Sequence, residues 1–379
     1  MSASSSGSFD LDRLLAGIQS WVEVESPTSD TVAVNRMIDR VQADAATLPV
    51  AVERIPGRDG RGDMLTLRTR GGGEKPGILI LSHIDTVHPV GMLAGPLRFR
   101  RDGDKLYGPG IYDMKGGAYL AFSAFAAVAR GNSAQLPVSF LFTPDEEVGS
   151  PTSRAMIEAE ARRARVVLVT EPARDGGKVV TARKGVGRFE LTTTGVPAHS
   201  GSRHQDGHSA IREMARQVLA IEAMTDYARG VTTTVGMING GTAPNVIPQY
   251  CHITADLRVR EVKTGEEFEA KILGLQPFDK HVKLTITGGM NRPPFEKTAE
   301  IDALLKRAQN VGRAFGLDVK DTEMTGGGSD GNFTAALGVP TLDGLGIDGE
   351  GAHTEWEHAF ISSIVPRARL MQGLLETLG

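Results

Sequence analysis

The sequence predicts an α/β fold with a mixed, largely parallel sheet flanked by helices, interrupted by a separate α+β domain. Three short apolar runs, residues 78–81, 138–142 and 166–169, have the length and composition of strands buried on both faces. Helical patterns at residues 117–130 and 152–163 lie between them. Strands that alternate with helices in this way form parallel sheets.

The segment before these strands is predicted to contain two helices and two strands. Apolar residues recur at helical spacing from Leu11 to Val22, behind Asp10 as a candidate N-cap. A second helix fits residues 31–48. Strands are expected at residues 50–55 and 64–67.

The middle of the chain has a different pattern. Alternating, threonine-rich strands and two helices occur there without the continuous apolar runs of parallel strands, which predicts an independent α+β domain. The expected strands are 186–194, 231–238, 252–260 and 282–287, and the expected helices are 209–224 and 265–273. Helices at 299–315 and 362–378 follow. We therefore expect one domain built from residues 1–182 and 292–379, and an inserted one at 183–291.

Composition favours an enzyme of small molecules or peptides. Lys and Arg total 42 against 46 Asp and Glu, for a net charge of −4. This balance argues against nucleic-acid or membrane-surface binding, since both need a basic excess. The longest apolar run, residues 118–129, is too short to span a bilayer. The polar stretch Met1–Ser8 lacks the apolar segment of an export signal, so a cytoplasmic protein is expected.

Side chains able to bind a metal follow each of the three predicted buried strands. His83 and Asp85 follow the first strand, Glu146 and Glu147 the second, and Glu171 the third. The carboxyl ends of parallel strands meet at one edge of a sheet, where ligands bind. We therefore expect these side chains to converge.

Two further candidates lie in loops. Asp113 precedes the helix predicted from residue 117, where an acidic residue is commonly an N-cap; beside other carboxylates it is also a candidate bridge between two cations. His353 and His358 both lie in the loop before the last helix. Spacing alone does not choose between these two histidines.

A pair of metal ions would account for these residue types. Cys251 is the only cysteine, so any metal must be held by histidine and carboxylate. Two Zn²⁺ ions need a bridging carboxylate, terminal ligands and an open position for water, whose pKa they lower; Co²⁺ or Mn²⁺ suits the same ligands. In the Glu146–Glu147 pair one residue can ligate while its neighbour acts as base. Asp85 can orient the ring of His83.

With these residues assembled, the chain resembles the glutamate carboxypeptidase (carboxypeptidase G) branch of the aminoacylase/acetylornithine deacetylase/succinyl-diaminopimelate desuccinylase superfamily of di-zinc metallopeptidases. The resemblance runs in order from residue 78 to the C-terminus. Its motifs are Ser82-His-Ile-Asp-Thr-Val87, Gly108-Pro-Gly-Ile-Tyr-Asp-Met-Lys-Gly116, Thr143-Pro-Asp-Glu-Glu-Val-Gly149, Glu171-Pro172, Gly240-Gly-Thr-Ala-Pro-Asn-Val-Ile-Pro248, Gly326-Gly-Gly-Ser-Asp330 and the loop with His353. It implies a fold of the zinc exopeptidase type, with the inserted α+β domain serving as lid and dimerisation domain.

The resemblance implies a role for each site residue, and it selects His353 over His358. The implied ligands of two Zn²⁺ ions are His83, Asp113 as the bridge, Glu147, Glu171 and His353. The implied catalytic residues are Glu146 as general base for a metal-bridging hydroxide, Asp85 behind His83, and His199, which steadies the oxyanion across a dimer. The implied substrate-binding residues are Asn245, Arg258, Arg292 and Gly327.

The lid residues also have simpler interpretations. Without the resemblance, His199 is expected in a surface turn, Arg292 is an exposed residue before Pro293-Pro294, and Gly326–Gly328 is a flexible loop. The sequence contains no glycine-rich phosphate-binding motif at these glycines.

The expected function is that of a homodimeric carboxypeptidase that releases a C-terminal amino acid such as glutamate. Glu171 is typical of the carboxypeptidases and deacylases that this chain resembles, whereas similar aminopeptidases have Asp. The alternative enzyme is an N-acyl amino acid deacylase of the acetylornithine deacetylase or succinyl-diaminopimelate desuccinylase type. A third hypothesis, from a different functional class, is a non-catalytic binding protein that has kept the fold. Loss of Glu146 or of a metal ligand would indicate such a protein, and all of these residues are present.

Overall fold

The computed structural model of the chain describes residues 9–74 and 76–379. The polar stretch Met1–Ser8 lies outside the described residues. The chain forms two compact units. The first comprises the chain up to Ala182 together with Lys297–Thr325 and Ser329–Gly379, and the second comprises Arg183–Glu296 with Gly326–Gly328.

The helices occupy both units. They are α1 (Leu11–Val22), α2 (Thr31–Ala45), α3 (Gly116–Gly131), α4 (Arg154–Ala161), α5 (Ala210–Glu222), α6 (Val262–Leu273), α7 (Ala299–Arg313), α8 (Gly331–Ala336) and α9 (Ile361–Thr377). Single helical turns occur at Ile111–Lys115, Glu146–Val148 and His204–Asp206.

The strands range from short bridging segments to long sheet strands. They are β1 (Ala51–Ile55), β2 (Met64–Arg68), β3 (Gly77–His83), β4 (Arg100–Asp102), β5 (Lys105–Tyr107), β6 (Val138–Thr143), β7 (Ala164–Val169), β8 (Val179–Val180), β9 (Gly185–Thr194), β10 (Thr232–Gly240), β11 (Tyr250–Val259), β12 (Lys283–Arg292), β13 (Asp321–Thr322), β14 (Thr341–Leu342), β15 (Gly349–Glu350) and β16 (His358–Phe360).

The main sheet of the first unit has the strand order β1-β2-β6-β3-β7-β14. Strands β6, β3, β7 and β14 run parallel to one another, whereas β2 is antiparallel to both β6 and β1. The predicted mixed, largely parallel sheet is thus confirmed. Because β6, β3 and β7 are adjacent and parallel, the residues that follow them emerge at the same edge.

Helices cover both faces of this sheet. Ile78 and Ile80 of β3 belong to a core cluster that contains residues of α2, α3, α7 and α9. Leu79 and Leu81 belong to the cluster on the other face, which contains residues of α4 and α8. Alternate side chains of a strand point to opposite faces, so the continuous apolar run of β3 is explained by burial on both sides.

The second unit is built around an antiparallel sheet with the order β10-β11-β9-β12. Its core contains Phe189 and Leu191 of β9 together with Met214 of α5 and Phe268 of α6. Side chains of β9 and β11 alternate between buried and less buried positions, as expected for a sheet with one covered face. β10 is an outer strand of this sheet.

Most predicted elements are confirmed, with shifts at their ends. Asp10 caps α1 as expected, its carboxylate accepting a 2.8 Å hydrogen bond from the backbone N–H of Arg13. However, α2 ends at Ala45 and α6 begins at Val262, each three residues from the predicted bound. Elements as short as β8 and α8 were not predicted because two to six residues carry no periodic pattern.

Among the described residues, no helix is long and apolar enough to cross a membrane.

Candidate metal centre

The metal-binding candidates come together at the carboxyl edge of the main sheet. His83 is the last residue of β3, the Glu146–Val148 turn follows β6, and Glu171 follows β7. Ligand atoms of His83, Glu146 and Glu171 lie within 4.8 Å of one another. Side chains separated by up to 88 positions in the sequence therefore share one small volume, as the strand pattern predicts.

Asp113 lies between the two histidines. Its Oδ1 is 3.3 Å from His83 Nε2, and its Oδ2 is 3.4 Å from His353 Nε2. Glu171 Oε1 lies 3.8 Å from His83 Nε2, and Glu147 Oε2 lies 3.2 Å from His353 Nε2. Each histidine thus has one carboxylate of its own and one oxygen of the shared Asp113.

Asp113 does not cap a helix. Lys115 occupies the N-cap position of α3 without a side-chain cap, and Asp113 has an extended backbone (φ −117°, ψ 92°) in the turn that precedes it. Gly110 at the start of this turn has φ +69°, and a Cβ there would lie 2.4 Å from Thr86 Cγ2. The turn therefore requires glycine for both conformation and space.

The competing histidine lies elsewhere. His358 is buried on β16, its Nδ1 lies 3.0 Å from the carbonyl oxygen of Trp356, and its ring packs against Tyr107. His353 instead has a half-exposed side chain and a left-handed backbone (φ +65°), which residues with a Cβ adopt rarely. The structure thus brings His353, and not His358, to the carboxylates.

Charge and burial in this cluster suit a cation. Glu147 Oε1 is buried without a hydrogen-bond partner among the described residues, and an unsatisfied buried carboxylate oxygen is costly. Histidine nitrogens and carboxylate oxygens are zinc ligands. Ligand atoms of His83, Asp113 and Glu147 also lie within 4.8 Å of one another. The donor set therefore fits a metal.

The carboxylates of the cluster raise the pKa values of its histidines. Hydrogen bonds to Asp113 and Glu147 raise the pKa of His353 to about 10. Burial opposes a charge on His83, but hydrogen bonds with Asp113 and Asp85 raise its pKa well above the usual value. Burial raises the pKa of Glu147 to about 8, against the hydrogen bond from His353.

Asp85 connects the end of β3 to the Glu146–Val148 turn. It is fully buried, and His83 Nδ1 lies 3.0 Å from its main-chain oxygen and 3.4 Å from its carboxylate. The same carboxylate accepts hydrogen bonds from the backbone N–H groups of Glu146 and Glu147 at 3.3 Å and from the Thr28 hydroxyl at 2.7 Å. Asp85 therefore orients the glutamate turn as well as the histidine.

Sequence reasoning missed Glu357. This carboxylate is fully buried and accepts hydrogen bonds from the backbone N–H groups of Tyr112 and Asp113 at 2.8 and 2.9 Å. An isolated glutamate in a loop carries no local signal of such a contact. Only its position four residues after His353 could have suggested it.

The lid candidates lie in the second unit. His199 is exposed, and its Nδ1 accepts hydrogen bonds from the backbone N–H groups of Gly201 and Ser202 at 3.2 Å, as expected of a turn residue. The exposed Asn245 is adjacent, because its carbonyl oxygen accepts from Ser200 N at 3.0 Å. The structure thus brings together the segments that carry His199 and Asn245.

Arginines surround the glycine loop of the same unit. Arg292 at the end of β12 is 4% exposed, so its interpretation as an exposed residue is wrong. Arg183 and Arg258 donate hydrogen bonds to the carbonyl oxygens of Gly327 and Gly326 at 3.1 and 3.3 Å. Arg258 also forms a two-pronged ion pair with Asp256, at 2.8 and 2.9 Å.

The loop is tightly packed at Gly328 and open at Gly327, and basic side chains lie around it. A Cβ at Gly328 would lie 2.7 Å from Cδ of Arg292, so the backbone passes directly against that side chain. A Cβ at Gly327 would meet nothing within 4 Å. Burial and the charges of Arg260 and Arg258 lower the pKa of Lys184.

Comparison with known proteins identifies related hydrolases. The model of Peptidase family M20/M25/M40 matches residues 79–377. Carboxypeptidase G2 of Pseudomonas sp. (strain RS-16) is 30% identical over 373 residues, 96% of this chain and 88% of that protein. Succinyl-diaminopimelate desuccinylase of Acinetobacter baumannii is 28% identical over 340 residues, 84% of this chain and 87% of that protein. The structure of aminopeptidase PepT from Bacillus cereus shares the fold, with a TM-score of 0.75 and 22% identity over 98% of this chain and 99% of that one.

Metal binding is expected to release protons and to tighten as pH rises. Metal ligands must be deprotonated, whereas His83 and His353 carry raised pKa values in the metal-free cluster. Calorimetric titration with Zn²⁺ in buffers of different ionisation enthalpy should therefore show proton release at pH 7, and affinity should increase from about pH 6 to about pH 8. His208→Asn, which changes a histidine of the second unit, should leave the release unchanged. Proton-independent binding would contradict the expectation.

Proposed function

This chain belongs to peptidase family M20/M25/M40 and is a hydrolytic enzyme, and from this premise we propose that it is a di-zinc carboxypeptidase. It cleaves the amide bond next to a free carboxylate and releases a C-terminal amino acid such as glutamate. The first unit holds the metals and carries out the reaction. The second unit, corresponding to the predicted domain at residues 183–291, acts as lid and dimerisation domain.

The observation that carries the proposal is the position of the Asp113 carboxylate. One of its oxygens faces His83 and the other faces His353, at 3.3 and 3.4 Å. Glu171 accompanies His83 and Glu147 accompanies His353. A shared carboxylate with a His–Glu pair on either side is the arrangement that two adjacent cations need.

The proposed ligands are therefore His83 and Glu171 for one ion, Glu147 and His353 for the other, and Asp113 for both. When bound, the ions supply Lewis acidity to the attacking water and to the scissile carbonyl. Zinc matches these nitrogen and oxygen donors, and Co²⁺ or Mn²⁺ accepts them as well.

Glu146 is the proposed general base. Its carboxylate lies in the cluster with His83 and Glu171, and its backbone N–H is held by Asp85 at 3.3 Å. From this position it takes the proton of the attacking water and delivers it to the nitrogen of the leaving amine. Asp85 keeps both the glutamate turn and the His83 ring in place.

His199 is the proposed oxyanion donor, supplied across a dimer. Its Nδ1 accepts two backbone hydrogen bonds, so in the neutral ring the proton must sit on Nε2. An Nε2–H donor stabilises the negative oxygen that forms when the carbonyl is attacked. Asn245 lies beside it and is proposed to contact the same substrate group.

The substrate carboxylate is proposed to bind Arg292. A buried guanidinium presents a planar fork that matches a carboxylate with two hydrogen bonds. Arg258 pairs with Asp256 and donates to the carbonyl oxygen of Gly326, so its proposed contribution to substrate binding is to hold the Gly326–Gly328 loop. The open space at Gly327 allows close approach of substrate. The surrounding positive charge supports an acidic substrate such as glutamate.

The second candidate function is hydrolysis of an N-acyl amino acid by the same metals. The similarity to a succinyl-diaminopimelate desuccinylase over most of the chain favours it. Both reactions leave a free carboxylate next to the scissile amide, so the arginine contact serves either. A carboxypeptidase selects the amino acid that it releases, whereas a deacylase selects the acyl group on the other side of the amide bond.

A homodimer through the second unit is part of the proposal. The outer strand β10 exposes Met237 and Ile238, which are 70% and 60% accessible, and the neighbouring α5 exposes Leu219. An uncovered apolar strand edge commonly marks a protein interface. We also propose a cytoplasmic location; the free, buried Cys251 suits a reducing compartment.

Glu146→Gln should lower kcat by about 10²- to 10⁴-fold, because it removes proton transfer while preserving side-chain size. Metal content, measured by plasma mass spectrometry, should be unchanged. The matched variant is Glu147→Gln, which changes the adjacent residue and should lose metal together with activity. Full turnover by Glu146→Gln would disprove its role as base.

A substrate panel separates the two candidate functions. Release of glutamate from an aryl-glutamate should exceed release of acetate or succinate from N-acetyl and N-succinyl amino acids, measured as kcat/KM. Preference for the acyl substrates would favour the deacylase instead. Activity that survives exhaustive chelation would exclude both metal-dependent functions.

Arg292→Lys should raise KM by about tenfold or more, since the charge remains but one hydrogen bond of the fork is lost. The increase should disappear for a substrate whose carboxylate is replaced by an amide. Arg188→Lys, an exposed position on β9 of the same unit, serves as the control. An equal KM for wild type and Arg292→Lys on the carboxylate substrate would rule out the clamp.

A further inference from the structure

Glu357 is a buried carboxylate at the base of the metal cluster that lies outside the proposed ligand set. It precedes β16 and has no exposed surface. Its Oε1 accepts hydrogen bonds from Tyr112 N at 2.8 Å and Asp113 N at 2.9 Å. Its Oε2 accepts from Gly110 N at 2.9 Å and lies 2.6 Å from His88 Nε2.

These contacts join three segments that are far apart in sequence. His88 lies five residues after His83, Asp113 is itself one of the donors, and Glu357 lies four residues after His353. Glu357 is 244 to 269 positions away in the sequence from the residues that donate to it. Each segment carries one of the three residues that define the centre of the cluster.

We propose that Glu357 is a positioning residue that holds the Asp113 carboxylate between His83 and His353 and thereby sets the metal affinity of the site. The inference rests on the proposed function, because it assumes that these residues bind metal. Asp113 has a non-helical backbone in a turn that has no side-chain cap of its own, so Glu357 is the side chain that accepts from its N–H groups. The Glu357 carboxylate accepts hydrogen bonds from the backbone N–H groups of Asp113, Tyr112 and Gly110.

The chemistry of a carboxylate is needed for this task. A buried charge is stable only when hydrogen-bonded, and each oxygen of Glu357 serves two donors. Glutamine keeps one carbonyl oxygen, and its NH₂ group would face N–H donors at the other end. Lys115, fully buried nearby, adds an electrostatic partner for Glu357 and is tethered through Nζ to the carbonyl oxygen of Val24 at 2.6 Å.

Glu213 offers a matched control for a purely structural role. It is also a buried glutamate, 2% exposed, and its carboxylate accepts backbone hydrogen bonds from Phe278 N at 2.9 Å and Asp279 N at 3.0 Å. A side-chain donor, Gln217 Nε2, completes its contacts at 2.9 Å. It lies in the second unit, which contains none of the proposed metal ligands.

The test compares Glu357→Gln and Glu213→Gln in the full-length protein by calorimetric titration of the metal-free form with Zn²⁺. Glu357→Gln should weaken Zn²⁺ binding by about tenfold or more, as removal of a group that orients a metal ligand generally does. At subsaturating Zn²⁺ its kcat should fall in parallel, with KM nearly unchanged. Glu213→Gln should lower the unfolding midpoint while binding Zn²⁺ as tightly as wild type.

His88→Asn covers the case in which Glu357→Gln does not fold. It removes one donor and leaves the three backbone contacts of Glu357, so a smaller loss of Zn²⁺ affinity in the same direction is expected. Wild-type affinity in either folded Glu357→Gln or His88→Asn would overturn the inference, as would an equal loss in Glu213→Gln. Failure of the wild-type protein to bind Zn²⁺ at all would instead overturn the proposed function on which the inference rests.

Discussion

The main physical constraint on the first unit is that several carboxylates and two histidines share one partly buried volume. Glu146, Glu147, Glu171 and Asp113 approach the same histidines within a few ångströms. Such a concentration of negative charge in low dielectric is unfavourable unless cations or protons balance it. The pKa values of His83 and His353 are raised because these carboxylates favour the protonated rings. Two divalent cations would meet the same requirement and expel those protons.

Rigid support for this cluster comes from strand ends and from two buried carboxylates. Adjacent parallel strands β6, β3 and β7 bring their following residues to one edge. Asp85 ties His83 to the glutamate turn, and Glu357 ties the Asp113 turn to the segment of His353. Neither residue belongs to the proposed ligand set, yet between them they hold most of the segments that carry it. Precise metal geometry depends on such supporting contacts.

The second unit contributes a different chemistry. Its buried and semi-buried arginines gather around Gly326–Gly328, a short segment that returns to this unit from a distant part of the chain. Positive side chains thus gather around the loop that we assign to binding the substrate carboxylate, and carboxylates gather at the site that we assign to binding metal.

The sequence by itself determined the sheet class, the main helices and strands, and which residue types could bind metal. These properties are local, because periodicity, apolar runs and strand-terminal residues are visible in short windows. It also indicated His83, the Glu146–Glu147 pair and Glu171 as candidate ligands, since each lies at or just after the end of a recognisable strand. Only the tertiary structure decided that Asp113 lies between two histidines instead of capping α3. Residue spacing left His353 and His358 as alternatives, and the structure places His353 at the carboxylates. The contact of Glu357 with the Asp113 turn was likewise visible only in the structure. Those outcomes depend on contacts between segments more than two hundred residues apart, and such contacts leave no periodic trace in a single sequence because they are formed only when the whole chain packs.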